Sequence, residues 1–69
     1  MIKILDVNAD KDCSITTFQY NGICFTVGKV YSSKTLHVSC GDMDVDFTVT
    51  NLDKALGIMK SIIGELNEH

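Results

Sequence analysis

The stretch SCGDMDVDFTV, residues 39–49, places three carboxylates at alternate positions: Asp42, Asp44 and Asp46, interleaved with Met43, Val45 and Phe47. Carboxylates spaced in this way can hold a hard cation, offer a row of negative charge to a basic partner, or keep a strand face in water. Calcium is the first chemistry to test. With Asp42 as the first ligand of an EF-hand-like loop, Asp44, Asp46 and Asp53 fall at ligand positions, but Phe47 stands where the sharp turn needs glycine. The stretch DVNADKD, residues 6–12, repeats the alternation and also lacks that glycine. Neither meets the requirements of the loop, and no metal or other cofactor is expected.

His37 is the second chemical group. One imidazole with Asp46 and Asp44 would make a weak divalent-cation site. A Cys–His nucleophile would need Cys24 or Cys40 beside His37. Cys40 lies three residues from His37, so in a strand the two point to opposite faces. Cys13, Cys24 and Cys40 form no C-x-x-C pair, and their odd number suits free thiols in a reducing compartment. A sheet and helix of this size leave little room for a water-excluding pocket. The expectation is therefore a chain that is not an enzyme.

The third chemistry is electrostatic. The net charge is −3, all six cations are lysines, and arginine is absent. Arginine is the usual bidentate reader of phosphate and guanine, so direct nucleic-acid binding is not expected. The acids cluster: Asp6, Asp10 and Asp12 near one turn, Asp42, Asp44 and Asp46 near another. Carboxylates about 7 Å apart on a strand can imitate a phosphate row and steer a basic groove toward them. The expected partner is a protein with a basic surface. The expected contact face is Asp42, Asp44, Asp46 and His37, extended by Asp10 and Asp12.

Those residues need elements to hold them. The 69 residues are expected to form one domain, 1–69, with 45% hydrophobic and 22% charged residues, as in folded globular chains. No apolar run reaches the roughly 18 residues of a membrane span, and the start MIKILDVNAD lacks a signal-peptide pattern. A cytoplasmic protein is expected. Residues 2–7 read as a strand. CSITTFQY and ICFTVGKV, residues 13–20 and 23–30, flank Asn21-Gly22, the dipeptide favoured in a two-residue type I′ turn. That turn pairs Phe18 with Phe25 on the core face. Residues 35–40 and 43–49 read as two more strands around a Gly41-Asp42 type II′ turn, setting His37 opposite Asp46 and Ser39 opposite Asp44.

Residues 51–67 read as a helix with Thr50 as its N-cap. Leu52, Ala55, Leu56, Met59, Ile62, Ile63 and Leu66 make its apolar stripe. The expected fold is α+β: a five-stranded antiparallel meander, an open curved sheet or a small barrel, closed by one amphipathic helix. Gly57, Ser61 and Gly64 align on the helix face away from the stripe, beside Ile58. Exposed helical glycine costs roughly 1 kcal/mol against alanine, so a homodimer contact is expected there. The alternative function is a homo-oligomer holding a small ligand or metal between subunits.

In outline, strands followed by a C-terminal helix resemble the SH3-like barrel of chromodomains and small archaeal chromatin proteins. The outline also resembles the single-stranded-DNA-binding coactivator fold, which dimerises through its helix. The basic, aromatic surfaces of those families are replaced here by an acidic one. In size, acidity and composition the chain resembles small phage-encoded inhibitors of host proteins.

Overall fold

A computed structural model describes residues 2–67, with side chains up to Glu65. Five strands precede one helix: β1 Lys3–Ala9, β2 Cys13–Tyr20, β3 Ile23–Val30, β4 Leu36–Cys40, β5 Val45–Val49 and α1 Leu52–Asn67. The strands pair antiparallel in the order β1-β2-β3-β4-β5. The sheet is open, with β1 and β5 as its edges. The fold is α+β in a single small domain.

The β2–β3 hairpin forms as the Asn21-Gly22 dipeptide dictates. Both turn residues take positive φ, 50° and 81°, the signature of the type I′ turn. The register follows, with Tyr20 opposite Ile23, Phe18 opposite Phe25 and Thr16 opposite Val27. The rings of Phe18 and Phe25 stack with centroids 5.4 Å apart. Such a pair adds about 1 kcal/mol beyond the area it buries.

The β4–β5 connection differs from the two-residue turn expected from sequence. Gly41–Met43 form a single 3-10 turn and Asp44 closes it in the left-handed region, φ 54°. Four residues thus leave the ladder, and pairing resumes two residues later: Cys40 faces Val45, Ser39 faces Asp46, Val38 faces Phe47 and His37 faces Thr48. Because the slip is an even number, every side chain of Val45–Val49 keeps its face and only its partner changes, while Met43 and Asp44 leave the strand.

Two other boundaries move for local reasons. β1 runs on to Ala9 because Asp10 closes the turn itself: its backbone N–H donates to the Cys13 carbonyl at 2.9 Å, and its Oδ1 accepts from the Asp12 and Cys13 N–H groups at 2.8 and 3.0 Å. The helix is capped by Asn51 rather than Thr50, since the Asn51 Oδ1 accepts from the Lys54 N–H at 2.8 Å.

The helix lies on the apolar face of the sheet, over β4 and β5. Ala55, Met59 and Ile63 recur every fourth residue and are fully buried, together with Phe25, Val38 and Cys40; Phe18, Val27 and Leu36 complete the core. Leu56 and Ile62 flank them. Leu52, expected on the stripe, stands exposed at the helix start, and the side chain of Leu66 lies outside the described residues. No described helix is long and apolar enough to cross a membrane.

Replacing Gly22 by Val should cost about 1–2 kcal/mol, the left-handed penalty of a residue with a Cβ, read as a lower urea midpoint at unchanged slope. Met59→Ala should cost about 2–5 kcal/mol, a large share of what a domain of this size has.

Candidate functional site

The acidic cluster occupies one tip of the sheet. Asp42 lies in the 3-10 turn, Asp44 follows it, and Asp46 is the second residue of β5; all three are exposed. Asp44 and Asp46 were expected as neighbours along one stiff strand. The longer turn removes Asp44 from that strand and holds it in a conformation that asparagine, aspartate and glycine tolerate best.

Asp46 was expected directly across from His37. It faces Ser39 instead, and Thr48 faces His37. The imidazole still reaches the carboxylate along the diagonal, with His37 Nε2 on Asp46 Oδ1. The two side chains are 54% and 68% exposed, so the pair adds less than about 1 kcal/mol and mainly orients the carboxylate. Among the described residues it is the one side-chain ion pair.

Asp10 and Asp12 do not join this tip. They sit in the β1–β2 turn, where the Asp12 carbonyl accepts from the N–H of Tyr31, just past the end of β3. That is the opposite end of the sheet from Gly41–Met43, because Cys40 leads into the acidic turn next to the start of β3, its Sγ donating to the Cys24 carbonyl at 3.4 Å. The Asp10 carboxylate is engaged in its own turn. The N–H groups of Asp12 and then Cys13 hold its pKa below the usual carboxylate value. The Cys13 thiol is pushed up by its partial burial and then by the Asp10 carboxylate, so it stays protonated at neutral pH.

Of the thiols, Cys40 is separated from His37 by the sheet, whereas Cys13 and His37 line one open groove on the other face. Cys40 is buried on the helix-facing side, while His37 stands on the opposite face. Among the described residues no group of three or more His, Cys, Asp or Glu side chains is placed to hold a metal ion.

On the helix, Gly57, Ser61 and Ile58 are exposed and Gly64 is half-buried. A Cβ built on Gly57 or Gly64 meets nothing within 4 Å, so packing within the chain does not require glycine at either position.

Two features were not anticipated from sequence. A groove of about 380 Å³ opens beside the helix N-terminus, with Thr16, Phe18, Leu36 and Leu52 among its walls. Next to it, β1 is exposed along its whole length. The signal was present in IKILDV, which carries more aliphatic residues than a half-buried strand needs. No protein-family model matches the chain, and no curated protein and no solved structure is significantly similar to it.

The lowered pKa of Asp10 makes its contribution to stability present above the ordinary value of 3.8 and lost as pH falls below it. The stability difference between the native chain and Asp10→Asn should therefore be constant at neutral pH and shrink in acid, as followed by thermal melts across pH. Gly57→Ala should raise stability by roughly 1 kcal/mol in a dilute monomer, read from the urea midpoint.

Proposed function

We propose that the chain is a non-enzymatic protein-binding module whose acidic tip docks on a basic surface of another protein, of the kind that receives nucleic-acid phosphates. One observation carries the reading: three exposed carboxylates follow one another through a 3-10 turn into β5, one of them at a left-handed position where glycine would cost least. The turn is closed by the Asp44 N–H donating to the Gly41 carbonyl, and the His37 contact orients the Asp46 carboxylate; together they favour one arrangement of the acidic tip before any partner arrives. Preorganised negative charge speeds association with a basic groove and discriminates by its pattern. Occupying such a groove excludes the nucleic acid, which would make the module an inhibitor. Asp10 and Asp12, at the far end of the sheet, are not needed for the contact.

The test compares two triple variants of equal net charge, with an arginine-rich peptide as the probe. Neutralising Asp42, Asp44 and Asp46 to Asn should weaken binding about tenfold or more and flatten its salt dependence. Neutralising Asp12, Asp53 and Glu65 to their amides should change it far less. Equal losses in the two variants would mean that only net charge matters, and the docking tip would be wrong. Asp44→Gly sharpens the comparison: affinity should fall while stability holds or rises by up to about 1 kcal/mol.

A further inference from the structure

The outer edge of β1 pairs with no other strand. All seven of its residues are exposed, whereas each of the other strands is at least partly buried. Ile4, Leu5 and Val7 remain 63%, 51% and 60% exposed.

We propose that β1 pairs antiparallel with β1 of a second copy, about a two-fold axis passing between Ile4 and Leu5. The distribution of residues over the two faces selects this register. Ile4 stands opposite Phe18 and Val7 opposite Thr16, on the face that carries the core; Lys3 stands opposite Gln19 and Asp6 opposite Thr17, on the other face. A bulge at Leu5 lets charged and apolar residues fall on these sides. Ile2 packs against the core and shares the face of Ile4.

With the axis between Ile4 and Leu5, Lys3 meets Asp6 of the second copy, and symmetry repeats the pair. Ile2 meets Val7 twice on the core side, and Ile4 meets Leu5 at the centre. Charge lies against opposite charge, and aliphatic against aliphatic. A slip of one residue in either direction sets Asp6 against Ile2 or Ile4, and further slips lose the Lys–Asp pairs. A bulged edge normally discourages pairing with other chains. Here the two bulges meet at the axis, so the same irregularity admits its own copy in one register. The contact is isologous and closes on itself, joining two five-stranded sheets into one of ten strands.

Sedimentation velocity from micromolar to near-millimolar protein tests the pairing. The native chain should pass from monomer to dimer with a dissociation constant in the micromolar range or weaker, as befits a small interface. Lys3→Asp and Asp6→Lys should each weaken the dimer about tenfold or more, because each converts two attractive pairs into repulsive ones. The double variant Lys3→Asp/Asp6→Lys should restore it, and far-UV circular dichroism should show all three folded. Gly57→Leu, on the helix, should leave the dimer intact.

A chain that stays monomeric throughout would overturn the pairing. So would a dimer indifferent to both charge reversals, assemblies growing beyond the dimer, or a dimer lost on Gly57→Leu but kept by the β1 variants.

Discussion

A single helix can cover only part of a five-stranded sheet, and most of the molecule's character follows from that mismatch. Strands lie about 4.8 Å apart, so five of them span roughly 19 Å. A helix with its side chains is about 10–12 Å across. Laid over β4 and β5, α1 buries the apolar residues of the near strands down to Phe18. Beyond Phe18 no layer remains. The groove beside Leu52 and the bare residues of β1 are the uncovered remainder of one apolar face.

The elements that were legible in the sequence are those whose local chemistry leaves one choice. Asn21-Gly22 admits one tight hairpin, and the whole β2–β3 register followed from it. Gly41-Asp42 looked equally decisive and was not. Gly41 could begin a two-residue turn, but Asp44 can also occupy the left-handed position that closes a longer one. Since alternation is preserved by an even slip, the face of every residue in β5 was readable while its partner was not. Thr50 and Asn51 are both competent caps, and composition alone does not rank neighbours of that kind.

The site was legible to the same degree. The exposure of Asp42, Asp44 and Asp46 follows from alternation and turn chemistry. The separation of Asp10 and Asp12 from them depends on the number of strands between the two turns, and so emerges only from the assembled sheet. The His37–Asp46 contact was anticipated as a direct cross-strand pair and is a diagonal one, which side chains of this length still bridge. The bareness of β1 is a property of no single residue. It arises from the width of one helix against the width of five strands.

Residue-resolved amide hydrogen exchange in dilute solution tests this picture of a half-covered sheet most directly. Amides of β3 and β4, which carry most of the buried core and are paired on both sides, should exchange slowest, at the rate of global unfolding. Amides of β1 should exchange orders of magnitude faster, with protection falling from β2 to β1. Protection of β1 equal to that of β3 in a dilute monomer would contradict it, because an edge strand with both faces in water has nothing within the chain to hold it so firmly.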